Sequence, residues 1–414
     1  MDKTEKNKKE ALIRIAKRDD LSFGKRALIR TFCVISAILT CILLLWVIGL
    51  KDPFPAIGLI FDGTFKGVFD GNFKKLIPAL QAMVMLLGIS VALAPAYQMK
   101  FWNVGAQGQV LMGALGACVC MIYGHSLPNS LLIFLSFLAA VSFGAIWAMI
   151  PALFKAKWNT NETLFTLMMN YIAIQLVSFC TMLWRGKNSS MSLINSASEK
   201  GWLPHWGGND MLLPLAVVVI MVILMWAYLS KTKHGYELTV IGDSVNTARY
   251  TGIKVKWVII RTLLLSGALC GLMGFLYAAG IEHKISVDTS GSYGFTAIIV
   301  CWLSYFNPFL MGVFSLLIVF LDKGAMNLKN AAYAPALNEY SCELLVFVIL
   351  VSIMLSEFFI RYRLLFSDSF KEKTGILWHK ITSFCKDPFK PHQPLASPAP
   401  SNQMAPEKKE EKNE

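Results

Sequence analysis

Charged residues are scarce in this sequence of 414 residues. Asp, Glu, Lys and Arg together make up 16% of the chain, whereas hydrophobic residues make up 55%. A soluble globular protein carries about a quarter charged residues, so this composition excludes a soluble enzyme, a secreted disulfide scaffold and a disordered chain. The apolar residues are concentrated in blocks such as 31–50, 76–96 and 131–154, each long enough for a helix to cross about 30 Å of hydrocarbon.

The motifs of several catalytic and metal-binding sites are also missing. The two Gly-Lys pairs, at Gly24 and Gly186, are not followed by Ser or Thr, which excludes a P-loop for ATP. The nine cysteines include no Cys-x-x-Cys pair, and the six histidines lie outside the apolar blocks, so neither a zinc site nor a histidine relay is indicated. We therefore expect this chain to be no enzyme and to hold no metal and no cofactor of its own.

Carboxylates are missing from the apolar blocks between residues 76 and 230. Such groups would mark a proton- or sodium-coupled carrier, and Glu343 and Glu357 lie near the ends of the last block, where they can reach water. A secondary carrier would therefore lack its coupling group, and a channel would lack a recognisable filter. Both remain alternatives from a different functional class.

Ten apolar blocks predict an all-α polytopic membrane protein with about ten transmembrane helices. The eighth and ninth blocks are short and meet at Asn307-Pro308, where proline removes a backbone donor, so we expect a short broken hairpin. The blocks cover 31–50, 76–96, 104–124, 131–154, 163–184, 212–230, 258–280, 294–306, 308–321 and 342–360.

The basic residues predict the orientation of the chain. Segments 1–30 and 361–414 carry ten Lys and Arg each, and segment 231–261 carries six. With three lysines in short turns, they account for 29 of the 39 basic residues. Because such residues collect on the cytoplasmic side, we expect both termini to be cytoplasmic, and the net charge of +13 needs no nucleic acid to explain it.

The two ends of the chain differ from the expected membrane domain at 31–360. Segment 1–30 is predicted to be a cytoplasmic basic arm, in which Ala11–Arg18 favours a short helix on the membrane surface. Segment 361–414 is predicted to be cytoplasmic and largely disordered, because proline and charged residues dominate from Lys386 onwards.

Uncharged polar residues stand at glycine-rich positions in the third block. Asn103, Gln107 and Gln109 are costly in lipid, so they should face a cavity, a neighbouring helix or the interface. The surrounding glycines permit close helix approach. Asn170 and Tyr171 are polar residues inside the fifth block. The amide of Asn170 needs a partner there, so it either forms a hydrogen bond with a neighbouring helix or lines a substrate path.

A basic segment at 231–257 separates the sixth and seventh blocks. Gly242 and Gly252 flank Ser244–Tyr250, which predicts a short helix capped by Asp243 or Ser244. Apolar residues within the segment would have no use in a solvated loop, so we expect the helix to be held against the membrane domain as a rigid lever. These apolar residues are Leu238, Val240, Ile241 and Ile253.

Four motifs follow one another along the chain. They are W-N-V-G-A-Q-G-Q at Trp102–Gln109, N-E-T-L-F-T-L-M-M-N-Y-I at Asn161–Ile172, the glycines, Glu237 and A-R-Y within Gly235–Ile253, and G-S-Y-G-F-T-A at Gly291–Ala297. In this order they resemble the motifs of the permease subunits of ATP-binding-cassette importers for nucleosides and simple sugars, a branch related to the ribose and branched-chain amino acid permeases. Gln107 departs from this pattern, because the family usually has glutamate there, and Thr247 replaces the first alanine of the family's A-A-R-Y.

This resemblance implies a plasma-membrane permease subunit that forms the path for a nucleoside or simple sugar, with riboflavin or another small ring-bearing solute as an alternative. It implies a separate ATPase that binds ATP and Mg²⁺, a second permease subunit, identical or homologous, and an extracytoplasmic substrate-binding lipoprotein or periplasmic protein. The implied substrate-path residues are Asn103, Gln107, Gln109, Asn170, Tyr171, Tyr293 and Phe295. The implied ATPase-coupling residues are Glu237, Gly242, Ala248, Arg249, Tyr250 and Gly252.

Overall fold

The computed structural model describes residues 13–17, 22–50, 73–185, 193–195, 198–204, 210–287, 293–329 and 339–366, with the single residues 55, 58, 289 and 291. Twelve helices account for most of these residues. They are α1 (Phe23–Val47), α2 (Phe73–Gln98), α3 (Ala106–Tyr123), α4 (Asn129–Trp158), α5 (Glu162–Trp184), α6 (Leu212–Lys231), α7 (Lys233–Asp243), α8 (Val245–Tyr250), α9 (Val255–Gly280), α10 (Tyr293–Leu303), α11 (Pro308–Lys329) and α12 (Glu339–Arg361).

In the part of the chain that the structure describes, nine helices are long and apolar enough to cross a membrane, and α10 is a shorter apolar helix. This confirms the prediction of an all-α polytopic membrane protein with about ten membrane segments. The order along the chain is also as predicted, with the α7 and α8 helices of segment 231–257 between the sixth and seventh spans.

The hairpin around Asn307-Pro308 is asymmetric. Helix α10 has 11 residues, about 17 Å along its axis, which is only half the hydrocarbon thickness. Helix α11 begins at Pro308, as predicted, but has 22 residues and continues to Lys329. Asp322 and Lys323 therefore lie inside α11, although their charges end the apolar block in the sequence.

Helix α9 is central to the bundle and packs against α4, α3 and α2. Glycines make this packing possible: a Cβ built on Gly113 of α3 would lie 2.4 Å from the Cα of Gly271 in α9, and one built on Gly144 of α4 would lie 2.4 Å from the carbonyl oxygen of Gly267. Without side chains at these positions the helix backbones touch directly. The predicted close approach of the third block is confirmed.

A two-stranded antiparallel sheet is formed by β1 (Ile13–Lys17) and β2 (Tyr362–Phe366), with Ile13 opposite Phe366. The helix expected over Ala11–Arg18 is therefore wrong. The alternation of apolar and basic residues there also fits the period of two of a strand, and pairing with a segment almost 350 positions later cannot be read from local sequence. The rest of segment 361–414 lies outside the described residues, as does segment 1–12.

Candidate functional site

Asn103 and Gln109 form a buried amide pair at the beginning of α3. The Asn103 Nδ2 atom lies 3.4 Å from Gln109 Oε1, and the Gln109 Nε2 atom lies 3.2 Å from Asn103 Oδ1. The same Asn103 oxygen accepts a hydrogen bond from the Gly105 N–H at 3.0 Å, and the Tyr97 hydroxyl donates to the Asn103 carbonyl at 3.1 Å. These bonds hold the non-helical turn before α3 in one conformation.

Asn170 of α5 bonds to the same turn from the other side. Its Oδ1 accepts from the Gly108 N–H at 2.8 Å, and its Nδ2 donates to the Val104 carbonyl at 2.8 Å. Thr166, one helical turn earlier on the same face, accepts from the Val104 N–H at 3.1 Å. Of the two alternatives for this amide, the structure shows a helix–helix bond.

Gln107 differs from these three amides because its side chain is only half-buried. It lies where α10 begins, since a Cβ added to Gly294 would come within 2.8 Å of the Gln107 Cβ. Tyr293 is half-buried at that helix start, and Phe295 is exposed. The structure thus places Gln107 against the start of α10, in the turn that carries Tyr293 and Phe295.

Tyr171, the remaining predicted path residue, lies away from this junction. Its side chain is exposed on α5, where it lines a shallow depression of about 350 Å³ with Ile172, Gln175 and Leu176. Asn170 precedes it in the chain and points into the bundle, so neighbouring positions of one motif serve opposite faces of the helix.

Two tryptophans that were not predicted as path residues meet near the other end of α10. The rings of Trp102 and Trp302 stack with their centroids 5.2 Å apart and an interplanar angle of 24°. The rings of Trp302 and Phe306 are close to perpendicular, at 70°, and their centroids lie 5.5 Å apart. Trp302 lies seven residues, or two helical turns, after Phe295, a spacing that places both on one face of α10. We call the group of Trp102, Gln107, Tyr293, Phe295 and Trp302 the α3–α10 surface.

Two carboxylates belong to the membrane domain in this region of the chain: Asp322 lies inside α11, and Glu282 directly follows the end of α9. Glu282 accepts a hydrogen bond from the Tyr277 hydroxyl at 2.7 Å. Asp322 is the more informative of the two, because it lies within a span. Sequence reasoning missed it because the pair Asp322-Lys323 reads as the end of an apolar block.

Segment 231–257 folds into two helices, α7 and α8. The predicted short helix is confirmed, and Ser244 is its cap, because the Ser244 Oγ accepts from the Thr247 N–H at 3.3 Å. The preceding helix, α7, was not predicted. It begins after Thr232, whose hydroxyl accepts from the Gly235 N–H at 3.2 Å.

The two helices are fixed to the ends of α2, α4 and α9 by apolar contacts. Leu238, Ile241 and Ala248 are buried there in a cluster that is separate from the main core of the bundle, and we call it the second hydrophobic cluster. Its other members are Ala96, Met99, Phe101, Ala152, Val258 and Leu263. The apolar residues of the segment thus do hold it against the bundle, as predicted.

Polar contacts fix α7 as well. Glu237 forms an ion pair with Arg261 of α9, and the Gln98 Nε2 donates to the Thr239 Oγ1 at 2.9 Å. A Cβ on Gly242 would lie 2.3 Å from the Gln98 carbonyl oxygen, so only glycine permits this approach.

The six predicted coupling residues therefore fall into two groups. Glu237, Gly242 and Ala248 face the bundle, whereas Arg249, Tyr250 and Gly252 are exposed, with 92% of the Tyr250 surface accessible. Phe101 belongs to the second hydrophobic cluster and Trp102 to the α3–α10 surface. One peptide bond thus joins the two parts of the site.

Comparison with known proteins identifies the family. The profile described as branched-chain amino acid transport system / permease component matches residues 77–355. The glucose ABC transporter permease protein TsgB13 of Haloferax volcanii is 32% identical over 327 residues, which cover 75% of this chain and 83% of the relative.

Two bacterial relatives agree with this match. The nucleoside ABC transporter permease protein NupB of Lactococcus lactis is 26% identical, over 69% of this chain and 81% of its own length. The guanosine ABC transporter permease protein NupP of Bacillus subtilis is 26% identical, over 67% and 80%. Together with the nine apolar spans of the described residues, these matches show a multi-pass transport subunit of the plasma membrane, and the chain belongs to the permease family of branched-chain amino acid transport systems.

Proposed function

We propose that this chain lines the membrane path for a nucleoside or a simple sugar and that a separate ATPase drives the import. The names of TsgB13, NupB and NupP assign glucose, nucleosides and guanosine to three relatives. The observation that carries the proposal is the α3–α10 surface, where the half-buried amide of Gln107 lies against the start of the helix that carries Tyr293, Phe295 and Trp302, and where Trp302 stacks on Trp102. Hydroxyl groups and flat rings suit amides and aromatic faces better than fixed charges.

The predicted path residues would have two roles. Gln107, Tyr293 and Phe295 would contact the solute, whereas the buried amides of Asn103, Gln109 and Asn170 would position the turn that carries Trp102. Tyr171 lies on the exposed face of α5, where a second permease subunit, identical or homologous, would complete the path. A substrate-binding lipoprotein or periplasmic protein would deliver the solute from outside.

In this proposal both termini and segment 231–257 are cytoplasmic, as the distribution of basic residues predicts. The exposed corner at Arg249, Tyr250 and Gly252 would bind the ATPase, which holds ATP and Mg²⁺. Movement of the corner would reach Phe101 through the second hydrophobic cluster and then the adjoining Trp102. ATP binding would thereby favour one arrangement of the path over another.

Reconstitution tests this proposal. The chain is placed in vesicles with a candidate ATPase, second permease and binding protein from the same organism, and uptake of labelled guanosine, glucose and riboflavin is measured with ATP inside. We expect uptake of guanosine or glucose that an inactive ATPase abolishes. A preference for riboflavin would show that the substrate is another ring-bearing solute and not a nucleoside or a simple sugar. Uptake by this chain alone, driven by a proton or sodium gradient, would overturn the ATP-driven mechanism.

A further inference from the structure

A basic cleft of about 810 Å³ opens between segment 231–257 and the corner that joins α4 to α5. Its inner wall is apolar and includes Phe101, Ile241 and Ile259. Its polar wall carries six cationic side chains from four parts of the chain. These are Lys100, Lys155, Lys157, Arg249, Lys254 and Lys256.

The cleft is strongly positive. Glu162 and Asp243 are the two carboxylates among its lining residues, which leaves a net charge of +4. Lys155 is already paired with Glu162 at 2.7 Å. The other five cations are exposed and share the cleft with a single further carboxylate, so their mutual repulsion favours the binding of an anion.

Two exposed tryptophans indicate the depth of the cleft in the membrane. Trp158 ends α4 directly after Lys157, and Trp257 follows Lys256 at the start of α9. Their exposed fractions are 58% and 62%, and the Lys157 Nζ lies 4.6 Å from the centroid of the Trp158 ring. Exposed tryptophan at the ends of membrane helices marks the level of the lipid headgroups.

We propose that this cleft binds the headgroup of an anionic phospholipid, with the phosphate among the cations and the glycerol region against the apolar wall. Basic pockets between the ends of membrane helices bind such headgroups. Arg249 belongs to both the cleft and the exposed corner of α8, so a bound lipid would hold this corner in position. That the lipid belongs to the cytoplasmic leaflet rests on the orientation given under the proposed function, whereas the binding of the lipid does not depend on it.

Lipid binding is measured on the purified full-length chain, without ATPase or substrate. The chain is placed in nanodiscs of phosphatidylcholine with one-tenth phosphatidylglycerol, extracted into detergent, and analysed for retained lipid by native mass spectrometry. The test variant is Lys254→Gln with Lys256→Gln. The matched control is Lys231→Gln with Lys233→Gln, which removes the same charge from residues of the same segment that do not line the cleft.

We expect the natural chain and the control to retain phosphatidylglycerol preferentially. The test variant should retain about tenfold less, because each basic residue near the surface adds to the attraction for an anionic lipid. Thermal unfolding checks that both variants remain folded. Equal retention by all three proteins overturns the proposal. So does displacement of the lipid by millimolar inorganic phosphate, which means an unselective anion site. Binding of the ATPase to the same variants is measured separately, and a test variant that keeps its lipid but loses ATPase binding overturns the proposal in favour of an acidic protein partner. Failure of ATP-driven uptake alone would overturn only the proposed function.

Discussion

The Gly108 N–H in the first turn of α3 donates a hydrogen bond to the Oδ1 of Asn170 in α5 at 2.8 Å. The same amide donates to the Val104 carbonyl, so a single side chain bonds to backbone on both sides of the helix start. A helix start leaves its first N–H groups without partners inside the helix. Asn170 therefore stabilises the turn that presents Trp102 and Gln107.

Replacing Asn170 with Ala should weaken both the fold and transport. The change leaves the buried Gly108 N–H without this partner, which costs about 1–3 kcal/mol, and the half-buried Val104 carbonyl loses its bond at a smaller cost. We expect a lower unfolding temperature in detergent and reduced substrate uptake. Gln175→Ala is the matched control for stability, because it removes an exposed amide from the same helix. Similar unfolding temperatures for the two variants would contradict the role of Asn170.

The ion pair between Glu237 and Arg261 joins α7 to α9. Reversing either charge alone should lower the unfolding temperature, since loss of a hydrogen bond between charged groups costs about 1.5–3 kcal/mol, with a smaller cost where the groups are partly exposed. The double variant Glu237→Arg with Arg261→Glu should recover part of the loss. Additive losses in this double-mutant cycle would show that the two residues do not act as a pair.

The parts of this architecture that repeat a local pattern could be predicted from sequence. Long apolar blocks predict the spans, Pro308 the start of α11, and Ser244 the cap of α8. The failures came from long-range packing. The charge of Asp322 ends the ninth apolar block in the sequence, but α11 continues past it, because the packing of the bundle accommodates this residue. Strand β1 forms only because it pairs with β2, which lies far along the chain.

The candidate site was only partly accessible from sequence for the same reason. The motifs locate Asn103, Gln107 and Asn170, but not which amides face the bundle, because that depends on the neighbours of each helix. Trp302 matters only because α10 brings it against Trp102. A tryptophan in an apolar helix carries no signal of such a contact.

Replacing Trp302 with Ala should weaken substrate recognition. The change removes the stacking partner of Trp102, a contact worth about 0.5–1.5 kcal/mol beyond its buried area. We expect the KM for uptake to rise about threefold to tenfold, with a smaller change in the maximal rate. Trp302→Phe should retain most of the affinity. A KM unchanged in the Ala variant would remove Trp302 from the α3–α10 surface as a recognition element.

Asp322 distinguishes the ATP-driven importer from a secondary carrier. An intramembrane carboxylate is the coupling group that a proton-driven carrier needs, and Asp322 lies inside the α11 span. We expect Asp322→Asn, which removes the charge but keeps the size of the side chain, to leave uptake dependent on ATP. Uptake driven by a proton gradient in the natural chain, and abolished by Asp322→Asn, would instead identify a carrier.

Gly242 should be essential for coupling rather than for folding of the spans. A side chain at this position would meet the Gln98 carbonyl oxygen at 2.3 Å, and backbone cannot yield as a flexible side chain can, so α7 must move away from the end of α2. We expect Gly242→Val to insert into the membrane normally but to lose most substrate uptake, while the bound ATPase continues to hydrolyse ATP. Gly312→Ala is the control, since a Cβ there meets no atom within 4 Å. Normal ATP-dependent uptake by Gly242→Val would show that the contact between α7 and α2 does not transmit the movement, and the connection from Tyr250 to Trp102 would then have to run through α9.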